Sequence, residues 1–136
     1  MIARSILPLG ALAPAPGTVW DASSIDRTAV LLGPVRSQVV RYLRGCPLFL
    51  AWMEYTRDEI GGKFDVAGGS GIQSDGVYYW RVDASEYVRE YGIGIPASAI
   101  NHFEAMKWVP PKFDHGEYIE IFEHLDHIVG TGVAEC

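Results

Sequence analysis

Carboxylates and imidazoles are concentrated near the end of the chain, where Glu120, Glu123, His124 and His127 lie within eight residues. On a helix, residues three or four positions apart share a face, so this spacing could bring nitrogen and oxygen ligands to one divalent metal ion. The order of the residues differs from the HExxH metalloprotease motif, and a helical ExxH pair is common by chance. The sequence therefore predicts a polar helix face here, and no metal or cofactor.

Acid-histidine neighbours occur twice, as Asp114-His115 and Asp126-His127, and such a pair could orient a base for a nucleophile. A nucleophile elbow of the GxSxG type is absent from the sequence. Residues 68–71 read Gly-Gly-Ser-Gly without the lysine of a Walker-type phosphate loop, which indicates a turn. The sequence accordingly predicts no catalytic residue.

The negative charge of the chain is concentrated after Lys112. The formal net charge is −6, and six of the 17 acidic residues but none of the 11 basic ones follow Lys112. Such an acidic segment repels nucleic acid and attracts a basic partner, although it would also serve as a solvated helix face. The residues that we expect to contact a partner here are Glu117, Glu120, Glu123 and Asp126.

Composition indicates one packed domain. The chain has 136 residues, of which 49% are hydrophobic and 12% aromatic, and this length can bury a core without disulfide or metal staples. Cys46 and Cys136 show no metal or redox spacing, so we expect a reduced, buried Cys46 and a cytoplasmic location.

The amino-terminal residues 1–17 are predicted to form an irregular arm, because they contain three prolines. Arg4 and the apolar run from Ser5 to Ala13 suggest a secretory signal, but Pro8 and Gly10 interrupt the run and disfavour that interpretation. A run of about 18 apolar residues, as a membrane span requires, does not occur in the sequence, so no membrane association is expected.

Four helices are predicted from capping and periodicity. Each start carries a proline or an acidic capping box, and three of the four ends carry a glycine. The third helix ends before two prolines, since the residue preceding a proline disfavours the helical conformation. The predicted starts are Pro34, Asp83 with Glu86, Pro96, and Asp114 with Glu117, and the corresponding ends are Gly45, Gly92, Pro110 and Gly130.

The strand predictions centre on an Asp75-Gly76 pair, which is typical of a two-residue type I′ hairpin. Leu48–Met53 reads as a central strand covered on both faces, and residues 63–67 read as a partner strand. In the strand 77–82, Tyr79 and Arg81 share one face, which we expect to be half-exposed and to contact a partner. The predicted fold is α+β, a single domain with a small antiparallel sheet of three to five strands and about four helices.

The segment SDGVYYWRVDASEYVREYGIGIP, residues 74–96, resembles a pattern of uncharacterised small bacterial proteins. In that pattern a DG-aromatic-Trp-Arg strand precedes a Tyr-rich helix, and some members are immunity-like partners of polymorphic toxins. The resemblance implies a protein partner for this chain. It is carried by Asp75, Gly76, Trp80, Asp83, Tyr87, Tyr91 and Pro96.

The leading hypothesis is a non-enzymatic, immunity-type inhibitor that occludes the active site of a basic toxin domain, with no role for nucleic acid. A small hydrolase-like or metal-dependent enzyme is the first alternative, with His124 or His127 as base and Glu120 or Asp126 as the orienting group. A homo-oligomeric structural module is the second alternative. Each of the three is open to test from the placement of these side chains.

Overall fold

The computed structural model describes residues 5–28 and 30–130, which form one α+β domain. Within these ranges lie four α-helices and six short strands, so the predicted class, helix number and small sheet are confirmed. The strands are β1 Leu7–Pro8, β2 Leu48–Leu50, β3 Tyr55–Arg57, β4 Asp65–Ala67, β5 Ile72–Ser74 and β6 Tyr78–Arg81. The helices are α1 Gly33–Gly45, α2 Ala84–Tyr91, α3 Ala97–Ala105 and α4 His115–Leu125, and a π-helical turn, Asp126–Gly130, follows α4.

The main sheet has the strand order β1-β6-β5-β2, and β3 and β4 form a separate antiparallel pair. Strand β6 is antiparallel to β5 but parallel to β1, so the main sheet is mixed rather than wholly antiparallel as predicted. Strand β2 is an edge of this sheet rather than its centre, and it ends at Leu50. The prediction of a central strand from Leu48 to Met53 was therefore wrong.

The segment predicted as an irregular arm is part of the fold from Ser5 onward, while residues 1–4 lie outside the described ranges. Leu7 N donates to Val77 O at 3.0 Å and Leu9 N to Tyr79 O at 2.9 Å. Every second N–H group of the β1 segment therefore donates to a carbonyl group of the β6 segment. Pro8, which has no N–H, falls between these donors, as proline can on an edge strand. Leu9 and Leu12 are buried in the core.

The core consists of two clusters that lie against opposite faces of β6. Tyr78 and Trp80 point into the first cluster, which α1, α2 and α3 complete. Tyr79 points into the second, where it meets Ile121 and Leu125 of α4. Because successive side chains of a strand alternate, layers on both faces leave β6 without an exposed side along Tyr78–Arg81. No helix in residues 5–28 or 30–130 is long and apolar enough to cross a membrane.

The hairpin between β5 and β6 is present, but its turn is wider than the predicted type I′ turn. Gly76 has a φ of 88°, whereas among the described residues Lys107 and Trp108 are the non-glycine residues with positive φ. Asp75 instead closes the turn with its side chain, accepting hydrogen bonds from Val77 N at 3.0 Å and Tyr78 N at 2.8 Å. Hydrogen bonds to the Asp75 carboxylate thus hold this turn together in place of the type I′ backbone conformation.

The two predicted capping boxes have different outcomes. At α4 the box is complete, because Asp114 Oδ1 accepts from Glu117 N at 2.8 Å and Glu117 Oε1 accepts from Asp114 N at 3.2 Å. At α2 the helix starts as predicted, but Asp83 makes no side-chain cap. Its oxygens accept from Arg81 Nε at 2.9 Å and Arg81 Nη2 at 2.8 Å. The sequence pattern is the same at both sites. The outcome differs because the guanidinium of Arg81 binds the Asp83 carboxylate, whereas Asp114 has no such neighbour among its hydrogen bonds.

We expect Asp83→Ala and Asp114→Ala to differ in their cost to the free energy of unfolding. Removing the exposed Asp114 cap should cost about 1 kcal/mol. Removing Asp83 leaves Arg81 buried and unpaired, which should cost about 3–5 kcal/mol. Urea denaturation of the two variants measures both values, and equal losses near that of the exposed cap would contradict the role given to the Arg81–Asp83 pair.

Candidate interaction surface

The four acidic residues predicted to contact a partner are all exposed. Helix α4 buries Ile121 and Leu125, and the following turn buries Val129, so this apolar stripe fixes which side of the helix faces solvent. Glu117 also completes the helix cap, and Glu120 takes part in a further interaction within the protein. We call the outward residues of α4 and its turn the acidic face, and they are Glu117, Glu120, Glu123 and Asp126.

An apolar groove of about 470 Å³ lies beside α4, where the chain leaves β2. Helix α4 is held against β2 because Tyr118 Oη donates to Leu48 O at 2.5 Å and the Tyr118 ring stacks on Phe49 at 4.4 Å between centroids. Past Leu50 the chain turns outward, which leaves Met53 97% exposed and Tyr55 77% exposed. We call this the β2–β3 groove, and it is lined by Leu48, Ala51, Trp52, Met53, Tyr55, Ala67, Gly68 and Val82.

The sequence analysis did not predict the β2–β3 groove, because the apolar residues from Leu48 to Met53 were predicted to form a buried strand. A continuous apolar run such as Leu48–Met53 fits a buried strand. In the structure the strand ends after three residues, and the run continues through Met53 into the lining of the groove. Exposed apolar surface of this kind is typical of protein interaction sites.

The prediction that Tyr79 and Arg81 form a half-exposed contact face was wrong. Tyr79 is fully buried, donates from Oη to Pro14 O at 2.5 Å, and has a pKa raised to about 12 by burial. Arg81 is 8% exposed, and its guanidinium lies over the Trp20 ring at 3.8 Å from the centroid. Pro14, in the segment predicted as an irregular arm, and Trp20 thus cover this side of β6.

The Arg81–Asp83 pair ties three parts of the chain together. Thr56 Oγ1 of β3 donates to Asp83 Oδ2 at 2.9 Å, and Trp20, stacked on Arg81, donates from Nε1 to Ala11 O at 2.7 Å. Bidentate geometry and an aromatic face are the contacts that suit a buried guanidinium. Arg81 and Asp83 are thus structural residues, and the space beside them is a cavity of about 280 Å³.

A second buried polar cluster surrounds Asp75, whose side chain has no solvent exposure. Besides the two turn amides, its carboxylate accepts from Tyr42 Oη at 2.7 Å. His102 Nε2 lies 3.1 Å from Asp75 Oδ2, without the alignment of a hydrogen bond. Tyr78 Oη, next in space, bonds Ser98 Oγ at 2.9 Å. The cluster joins α1, α3 and the β5–β6 turn.

The cluster also contains a thiol, and its environment opposes nucleophilic chemistry. Burial raises the pKa of Cys46, and the negative charge of Asp75 raises it further. Reactive cysteines have a lowered pKa and some exposure, whereas Cys46 is 3% exposed. The expectation of a buried, reduced Cys46 agrees with this setting, while Cys136 lies outside the described residues.

The residues assigned to the enzyme alternative do not converge on a site. Asp126 and His127 are exposed, His124 is half-buried, and they line neither the β2–β3 groove nor the cavity beside Arg81 and Asp83. Across residues 5–28 and 30–130, no group of three or more His, Cys, Asp or Glu side chains is placed to hold a metal ion.

Comparisons of the chain with protein-family models, with curated proteins and with solved structures gave no match.

We expect Cys46 to resist alkylation in the folded protein. A raised pKa leaves little thiolate at pH 8, and burial blocks access of the reagent. Iodoacetamide treatment followed by peptide mapping should show Cys46 unmodified in buffer and fully modified in urea. Rapid modification of Cys46 in the native protein would contradict this placement, because it would show that the thiol is accessible and reactive.

Proposed function

We propose that this protein is a non-enzymatic binding module of the cytoplasm that recognises a basic protein partner through the β2–β3 groove and the acidic face. The observation that carries the proposal is the exposure of Met53 and Tyr55 over an apolar groove next to a helix with four outward acids. An apolar centre with a charged border is the usual arrangement of a specific protein interface.

Each part of the surface has a distinct physical role. Burying Met53 and Tyr55 against a partner removes apolar area from water and stabilises the complex. The acids on α4 act at longer range, because complementary charge raises the association rate and selects against acidic competitors. The two parts adjoin through the Tyr118–Leu48 hydrogen bond, which keeps α4 against the strand that leads into the groove.

The resemblance of residues 74–96 supplies the class of partner. It favours a toxin domain whose active site the protein occludes, which would be the action of an immunity protein. Active sites of nucleic-acid-cleaving toxins carry basic residues, since they bind phosphate backbones, and such a surface complements the acidic face. The resembling segment builds strand β6 and helix α2, and it contributes Val82 to the lining of the groove.

We expect substitutions in the groove to weaken partner binding. Met53→Glu should lower affinity for the product of the neighbouring reading frame by about tenfold or more, because a central apolar anchor becomes a buried charge. Leu32→Glu is the matched control, since Leu32 is also exposed, at 72%, but lies outside the groove. Isothermal calorimetry on the purified pair compares the variants, and an unchanged affinity for Met53→Glu would exclude the groove.

Substitutions on the acidic face should act on the association rate. The double variant Glu120→Lys, Glu123→Lys should slow association and flatten its dependence on salt, because long-range attraction is lost. Glu104→Lys, an equally exposed acid on α3, serves as control. If the double variant keeps both the affinity and the salt dependence of the parent, the acidic face is not the contact surface. If light scattering shows the purified chain assembling with itself through this surface, the partner is a second copy instead.

A further inference from the structure

A second surface, unrelated to the β2–β3 groove, runs along the outer side of α1. It is a concave region of about 580 Å³ whose floor is Val40 and whose walls are mainly arginine side chains. This basic region stands out in a chain whose formal net charge is −6. We call it the arginine groove, and it is lined by Arg36, Ser37, Val40, Arg41, Arg44, Gly45 and Arg89.

Three of the four guanidinium groups are held in position by neighbours. Arg36 Nη2 donates to the carbonyl oxygen of Arg89 at 2.5 Å, which satisfies an end carbonyl of α2. Arg44 forms an ion pair with Glu86, and Arg89 donates to Glu86 Oε1 from Nε at 3.1 Å and from Nη2 at 2.9 Å. Each guanidinium has five N–H donors, so most donors of these side chains are left for a ligand.

Glu86 keeps two of these arginines in place over the physiological pH range. Burial raises the pKa of its carboxyl, but the hydrogen bonds and charges of Arg89 and Arg44 outweigh burial and hold the pKa below its usual value. Glu86 is therefore ionised at neutral pH. A site whose cations are fixed before the ligand arrives loses less conformational entropy on binding.

Arg41 has no structural role of this kind. It is exposed, and among the interactions of residues 5–28 and 30–130 it has no hydrogen bond or ion pair. Arg44 lies in the last turn of α1, where a positive charge favours the helix dipole, whereas Arg41 lies before that turn. Its charge adds to those of Arg36, Arg44 and Arg89, while Glu86 and Glu90 neutralise only part of the total.

We propose that the arginine groove binds a small ligand that carries two or more linked phosphate groups. Arginine forks match phosphate oxygens in pairs, and the groove volume lies within the range of small-molecule sites. Arg36 and Arg44 are eight residues apart on α1, about 12 Å along the helix axis, so a chain of linked phosphates can reach more of these arginines than a single phosphate can. Val40 offers the apolar contact that a ligand body attached to the phosphates would use.

Calorimetric titration with sodium tripolyphosphate tests this site on the full chain. Saturable binding is expected, and Arg41→Gln should weaken it about tenfold, because one charge-assisted contact is lost. We expect this variant to fold, because Arg41 has no hydrogen-bond or ion-pair partner among the described residues. Circular dichroism checks that the variant is folded. Arg57→Gln is the matched control, since Arg57 is an exposed arginine outside the groove that pairs with Asp65 at 3.4 Å.

Further titrations identify the source of the phosphates. Equal affinity for tripolyphosphate and ATP identifies the phosphate chain as the recognised group, and tighter binding of ATP identifies a nucleotide. Amide shifts in nuclear magnetic resonance spectra should be confined to α1 and to the end of α2. The proposal is overturned if tripolyphosphate does not bind, if Arg57→Gln weakens binding as much as Arg41→Gln, or if a single-stranded oligonucleotide binds more tightly than either probe. These outcomes are independent of partner binding, because no residue of the arginine groove belongs to the β2–β3 groove or the acidic face.

Discussion

The hydrogen bonds of the buried Asp75 carboxylate are the interactions on which the packing of α1 against the β5–β6 hairpin depends. It accepts from two turn amides and from Tyr42 Oη, so one side chain joins the hairpin to α1, and His102 of α3 lies beside it. A buried carboxylate is costly unless donors surround it, and here the donors come from the hairpin and from α1. A shift of α1 relative to the hairpin would break the hydrogen bond from Tyr42, while α3 is joined to the same cluster through the hydrogen bond between Tyr78 and Ser98.

How far the fold could be predicted depended on whether a signal was local. The helix starts at Pro34 and Asp114, the stop at Gly92 and the Asp75-Gly76 hairpin were correct because caps and turns are decided by a few neighbouring residues. The role of Asp83 was only partly local, since its carboxylate binds Arg81, two residues before it, and also Thr56, 27 residues away. Tertiary partners of this kind leave no mark in the spacing of the residues.

The same distinction between local and distant signals holds for the residues of the candidate site. The acids of α4 could be predicted to be exposed because the apolar period of that helix defines its outer side. The exposure of Met53 could not be predicted, since it depends on β2 being an edge strand that ends early. The predicted exposure of Tyr79 and Arg81 was wrong because other elements cover both side chains: α4 packs on Tyr79, and Trp20 lies over Arg81. Exposure along these strands thus depends on which elements pack against them as well as on the strand sequence.

Polar groups in this protein fall into two sets with different consequences. Those in the interior, such as Arg81 with Asp83 and Tyr42 with Asp75, are mostly paired with one another, and the exceptions among the described side chains are Trp80 Nε1 and His102 Nε2. Those on the surface are separated by sign, with acids on α4 and arginines on α1 and α2. Catalysis requires a reactive group held in a water-excluding site, whereas recognition requires complementary surfaces on a rigid support. The proposed binding function needs the second of these, and the Asp75 cluster contributes to a rigid support by joining α1, which carries most of the arginine groove, to the β5–β6 turn.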